Sequence, residues 1–301
     1  MNRTATRNDN FSRLSPEEER TLETLLGDED PNTYQALEKL ILRDADRYID
    51  WLKRCRLSDN PLVRRHAGQL VSKHLAMTSK VRFLIFCHTQ PENLDLEQGL
   101  FALARTEYPE INADGYKAIL DEYAAELDER IRDSEDPYEI LEHLNTYLFD
   151  DLGYEGNQQD YYAPDNNYIN KVIDTRVGNP VGLCCLYWLL GQRLGQPITG
   201  IGMPGHFLIR FQNNREEIYI DPYNQGRILS RKDCMRMAVA LGLEFHYSLL
   251  TPTTSRSTLI RICTNLSSAY RKTGHTEKAL RSDLFINYLN RRINSTATMD
   301  F

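Results

Sequence analysis

The 301-residue chain has six cysteines but no Cys-x-x-Cys pair, which removes both the zinc ribbon and the thioredoxin-type redox motif. The six are Cys55, Cys87, Cys184, Cys185, Cys234 and Cys263, and the neighbours Cys184 and Cys185 project in different directions from one helix. Reduced thiols are the expectation. A basic surplus is also lacking: 36 Lys and Arg against 43 Asp and Glu give a net charge of −7, so no nucleic-acid partner is expected. No apolar run approaches the roughly 20 residues that a membrane helix needs. The longest, Val181 to Leu190, contains Gly182 and stops at Gly191-Gln192-Arg193. The polar start Met1-Asn2-Arg3 carries no signal-peptide core, so the expected location is cytoplasmic, with no membrane partner. Cys234, His246 and His275 do not stand at metal-ligand spacing, and neither a metal nor another cofactor is expected.

What is present is a 41% hydrophobic share, enough for a packed core, and helical periodicity over most of the first half. Residues 1–14 and 293–301 read as disordered ends. Residues 15–132 read as helices. Ser15-Pro16-Glu17-Glu18-Glu19 supplies a cap, a first-turn proline and carboxylates on the helix dipole. Asp30-Pro31 and Asn60-Pro61 each predict a helix start, and their 30-residue spacing suggests HEAT-like helical pairs. Asp133 to Pro137 predicts a hinge into a central domain over 138–250. Leu266, Tyr270, Gly274 and Ala279 fall at tetratricopeptide spacing in a helix pair over 256–292, with Asp283 where that pattern has phenylalanine. One such pair cannot bury its own face, so it must pack on the central domain.

Within the centre, Asn179-Pro180 predicts the start of a helix that is apolar on nearly every side and therefore buried, ending at Gly195. Two strands follow, His206 to Gln212 and Arg215 to Asp221, around Asn213-Asn214. A two-residue turn there fixes a register in which Arg210 faces Glu217, Leu208 faces Tyr219 and His206 faces Asp221. The last pair then has Cβ atoms about 5 Å apart, so the carboxylate can orient the imidazole. Both residues lie at strand ends beside irregular backbone, Pro204-Gly205 and Pro222-Tyr223-Asn224, where a ligand can approach. A structural His–Asp pair is the plainer alternative.

An ordered set of motifs is similar to the SirB-type transglutaminase-like family. It comprises Gly153-Tyr154-Glu155-Gly156-Asn157, Asp160-Tyr161-Tyr162, Asn166 to Asn170, Arg176-x-Gly178-x-Pro180, Gly202-Met203-Pro204-Gly205-His206-Phe207-Leu208 and Asp221-Pro222-Tyr223-x-x-Gly226. The helical flanks resemble the same family, so the likeness covers most of residues 20–290. The resemblance implies an α+β, papain-like plan: helical N-terminal region, buried central helix with antiparallel sheet, C-terminal helix pair. It also implies a Cys at the helix start, a strand His to activate it and an Asp to orient the His. His206 and Asp221 match. Pro180 stands at the Cys position, a trait that SirB-type members share, and the small polar residue usual after the Pro-aliphatic pair is Gly182.

Cys184 is the substitute to weigh, about 6 Å deeper along the helix. A cysteine on an apolar helix is usually inert packing. Three readings follow. In the first, the domain is retained for binding or regulation, with a cleft using His206, Asp221, Asn166, Asn167, Tyr162 and Asn224, and the helical flanks recognise another protein. In the second, it transfers or hydrolyses acyl groups with Cys184 or a His206-activated water. In the third, the pair is structural and function lies in the helical flanks. Oligomeric state is left open.

Overall fold

A computed structural model describes residues 14–89 and 94–291, and the expected disordered ends fall almost wholly outside them. The chain divides into two compact units. The first comprises the described residues up to Lys80 together with Thr106–Glu110. Here α1 (Pro16–Leu26) starts with Ser15 and Glu18 in a reciprocal capping box, and α2 (Pro31–Arg43) is capped by the Asp30 carboxylate. After α3 (Ala45–Cys55), Asn60 accepts from the amides of Leu62 and Val63 to open α4 (Pro61–Thr89). Leu26, Ile41, Leu52, Val63, Ala67 and Leu70 form the core of this unit. The imidazole of His66 sits 2.8 Å, through Nδ1, from the Leu26 carbonyl at the end of α1.

Both proline starts are where the sequence places them, but the 30-residue repeat is not. Pro31 opens a pair of helices, broken where Asp44 leaves helical geometry at φ −139°. Pro61 opens one helix of 29 residues, because nothing between 61 and 89 supplies a comparable break.

The second unit holds Val81–Arg105 and the chain from Ile111 onward. The expected hinge at 133–137 is a joint between two packed helices, α6 (Ala113–Ile131) and α7 (Pro137–Asn145), with Asp136 capping the second. The helices α5 (Leu96–Arg105) and α6 belong with the centre, since Arg193 forms ion pairs with Glu97 and Asp121, both at 2.7 Å. The boundary drawn from sequence alone therefore falls inside a packed unit. After α7 the helix widens into one π-type stretch, Thr146–Asp151.

At the centre, α8 (Ile169–Thr175) leads to α9 (Pro180–Arg193), with β1 (Glu155–Gly156) and β2 (Val177–Gly178) paired in parallel beside it. A four-stranded antiparallel sheet follows in the order β3 (Ile198–Ile201), β4 (Leu208–Gln212), β5 (Glu217–Asp221), β6 (Arg227–Leu229). Ile198 and Gly200 meet α9 through Gly191 and Trp188, so that helix covers one face. Ile201, Leu208, Tyr219 and Leu229 cluster on the other with Cys234 and Ala238 of α10 (Arg231–Ala240). Last come α11 (Ser255–Lys272) and α12 (Thr276–Asn290). Helix α11 lies on the centre, where the Tyr270 and Tyr168 hydroxyls meet at 2.9 Å. The fold is α+β. Among the described residues no helix is long and apolar enough to cross a membrane.

The hairpin register differs from the expected one by two residues. Gln212 faces Glu217, Arg210 faces Tyr219 and Ile209 faces Ile220. The cause is Asn213: its side-chain oxygen accepts from the amides of Arg215 (2.8 Å) and Glu216 (2.7 Å), making it the first residue of the turn. A slip of two keeps every side chain on its own face. Arg210 still reaches Glu217 at 3.4 Å, now on the diagonal.

Candidate functional site

His206 is delivered by the loop between β3 and β4. Gly205 turns it with φ +69°, and Arg261 of α11 pins it by donating to the carbonyls of Met203 (3.2 Å) and His206 (3.4 Å). Asp221 ends β5, and its carboxylate accepts from Asn224 over the short turn Pro222–Asn224. Nε2 of His206 lies 2.9 Å from Asp221 Oδ2, with the imidazole side chain 15% exposed and the carboxylate 3%. The expected partnership therefore forms. It does so by a diagonal reach from a loop, since the slipped register moves the two residues out of direct opposition. No hydrogen bond holds Nδ1 among the described residues, which leaves that nitrogen free for a ligand.

An aromatic row flanks the imidazole. The Tyr223 ring meets His206 edge-on with centroids 6.2 Å apart, Tyr161 meets Tyr223 at 6.0 Å, and Tyr162 meets Tyr161 at 5.1 Å. Lys272 of α11 stands over the Tyr162 ring at 2.9 Å. The Tyr223 hydroxyl donates to the Asn157 carbonyl, and Gly156 lets the ring lie against the chain, since a Cβ there would stand 2.6 Å from the Tyr223 carbonyl.

Asn166 and Asn167, expected to line the cleft as ligand-binding groups, are buried, and their amides are committed internally. Asn166 donates to the carbonyls of Asp160 and Tyr161 and accepts from Asn157, which fixes the loop carrying Tyr161. Asn167 accepts from Asn179 at 2.7 Å. Asn224 is exposed but serves to hold Asp221. Of the four expected binding residues, Tyr162 alone presents a large open side chain, half exposed.

Asn179 holds the start of α9. Its oxygen accepts from the Gly182 amide at 2.8 Å while its nitrogen donates to Asn167. Asn179→Ala should cost about 2 kcal/mol, since a buried cap and a second buried hydrogen bond go together. A chemical denaturation midpoint lower with unchanged slope is the expected reading.

Every residue from Pro180 to Gly191 is buried. Pro180 fills the helix start with a side chain that cannot attack. The Cys184 thiol donates to the Phe207 carbonyl at 3.3 Å. Burial, then the charge of Asp221, pushes its pKa well above the ordinary thiol range. Burial alone pushes Cys185 up to about 12. Neither thiol has the electropositive, accessible setting that a reactive thiolate needs. Among the described residues no three His, Cys, Asp or Glu side chains gather as metal ligands.

Residues 114–264, half of the chain, match the family model described as the transglutaminase-like superfamily. The chain belongs to that superfamily. It is 35% identical over 197 residues to the UPF0162 protein of Xylella fastidiosa (strain 9a5c), a stretch covering 63% of this chain and 70% of that one. Over 149 residues it is 28% identical to the UPF0162 protein of Vibrio cholerae, covering 49% and 55%. It is also 30% identical over 144 residues to F-box only protein 21 of Homo sapiens, covering 45% of this chain and 22% of that protein. No solved structure matches.

The transglutaminase-like domain also contains a polar knot that sequence reasoning missed. Asn145 donates to the Gly226 carbonyl at 2.8 Å and accepts from the Tyr187 hydroxyl at 3.2 Å, tying α7, the turn after Asp221 and α9 together. Gly226, with φ +69°, was the available signal: a side chain there would collide with the Asn145 amide.

Proposed function

We propose that this is a SirB-type member of the superfamily in which the His206–Asp221 cleft binds a protein partner and carries no thiol chemistry. The observation behind this reading is the start of α9: Pro180 stands where a nucleophile would, and the nearest thiol, Cys184, is fully buried against Phe207. What remains is a mostly buried imidazole held by a carboxylate, with an aromatic row running outward to Tyr162. That combination suits recognition of an extended segment, with aromatic faces for contact area and one polar anchor.

A second reading keeps a reaction. With Asp221 on Nε2, the open Nδ1 of His206 could take a proton from water attacking an acyl carbon. Incorporation of monodansylcadaverine into casein and ammonia release from a glutamine peptide, compared between the native chain and His206→Ala, separate the two. No His206-dependent turnover is expected. Turnover that needs His206 and survives Cys184→Ala would establish the water route and end the binding-only reading. A benzophenone at Tyr162 should crosslink reproducibly to one polypeptide in cells, and lose it when Tyr223 is replaced by Ala.

A further inference from the structure

The outer face of α10 has the wrong character for a face turned to water. Cys234 and Ala238, four residues apart, are buried on the sheet. One turn round, the exposed face repeats apolar and cationic side chains: Lys232, Met235, Arg236, Val239. Met235 is 40% and Val239 59% exposed, and the loop that follows adds Leu241 and Leu243, also open. Scattered exposed apolar residues need no explanation, but a run on one helix and its exit loop does.

The charge runs against the rest of the molecule. The whole chain carries −7. Residues 227–240 carry four cations, Arg227, Arg231, Lys232 and Arg236, against the single carboxylate of Asp233. Two of the four are engaged, Arg231 by Glu217 and Arg236 by Asp233. Arg227 and Lys232 have no ion-pair partner among the described residues, and Arg236 remains largely in solvent. Apolar centre and cationic border together define an occupant.

We infer that the outer face of α10 is a docking surface for an acidic amphipathic helix of another protein, with Met235 and Val239 against its apolar stripe and Lys232, Arg236 and Arg227 against its carboxylates. An anionic membrane surface fits less well. The helix has ten residues and is anchored through Cys234 and Ala238, so it cannot sink its apolar side into lipid, and Asp233 and Glu244 oppose anionic headgroups. The surface lies close to the other site, since a Cβ on Gly205, beside His206, would stand 3.0 Å from Leu241. It does not depend on that site's chemistry.

The test uses the full chain and three probes: a fluorescein-labelled 20-residue helix of alternating Leu and Glu faces, the same peptide with Lys for Glu, and phosphatidylserine vesicles. Fluorescence anisotropy should show saturable binding of the acidic peptide and none of the basic one. The double variant Lys232→Glu, Arg236→Glu should weaken the acidic peptide at least about tenfold and gain affinity for the basic one, as expected for a charge-specified interface. Val239→Ser should also weaken binding, while His206→Ala should leave it unchanged. Circular dichroism checks that each variant is folded. Equal binding of both peptides, indifference to the double variant, or binding to vesicles without binding to the acidic peptide would each overturn the proposal.

Discussion

Gly182→Ala should lower the melting temperature by about 5–10 °C, although alanine is the better helix former. Inside a helix, alanine is favoured over glycine by about 1 kcal/mol. Here the new Cβ would stand 2.5 Å from the Asn166 carbonyl oxygen and 3.1 Å from a Val172 methyl. That carbonyl is itself held, accepting from the Asn179 amide at 3.3 Å, and the Asn166 side chain holds the Tyr161 loop. The neighbour that must give way is backbone locked from both sides. Overpacking of this kind costs roughly 1–3 kcal/mol and more where nothing can move, so a net loss of about 2–3 kcal/mol is expected. For a domain of this size that converts to the stated shift. Gly68→Ala on α4, where an added Cβ meets nothing within 4 Å, is the control and should be neutral or stabilising. A Gly182→Ala protein as stable as the parent would refute the account. The same contact bars a serine nucleophile at this position.

The six thiols should be nearly silent to iodoacetamide in the native protein at pH 7.5. All six are buried and free. Burial pushes Cys87 and Cys185 up to about 12, Cys55 and Cys234 to about 11, and Cys184 well above the ordinary range. An unperturbed thiol at pH 7.5 is about one-tenth thiolate, and one with a pKa near 12 is roughly 3,000-fold less ionised. Mass spectrometry of each cysteine should therefore show labelling only after denaturation. Fast labelling of Cys184 below neutral pH, slowed in His206→Ala, would restore the thiol-enzyme reading. The shifts also have a stability consequence. Each folded-state pKa lies above its unfolded value, so the unfolded chain holds fewer protons between the two. The contribution is intact below the ordinary thiol range and is lost as pH climbs from there toward 12.

Much of this architecture was legible from residue types that act locally. The helices expected at Pro16, Pro31, Pro61 and Pro180 each begin at that proline, because a side-chain cap and a fixed φ need no distant partner. The buried helix α9 could be read from its lack of any polar face. The His206–Asp221 contact was also readable, although by the wrong hairpin register: a slip of two preserves facing, and the imidazole is long enough to reach along the diagonal. What could not be read was the destination of amide side chains. Asn145, Asn166, Asn167 and Asn179 all satisfy backbone or other amide side chains, across up to 81 positions of sequence. An asparagine looks the same in sequence whether it faces a ligand or a carbonyl. The unit boundary failed for a similar reason. The acidic, proline-containing stretch at 133–137 has the composition of a linker, yet α6 is held to α9 by Arg193, a contact 72 positions apart.

Helix α5 has a consequence for the chain as it is synthesised. Its Gly99 lies so close to Leu259 of α11 that a Cβ would stand 2.6 Å from that side chain, and Arg256 of α11 donates to the Cys87 carbonyl just upstream. The apolar face of α5 leaves the ribosome about 160 residues before its cover does. Until α11 emerges, the side of α5 at Gly99 lacks the Leu259 side chain that covers it in the finished protein. For about half of its elongation the nascent chain therefore carries an apolar patch on α5 without its final cover, an interval in which a chaperone has something to hold.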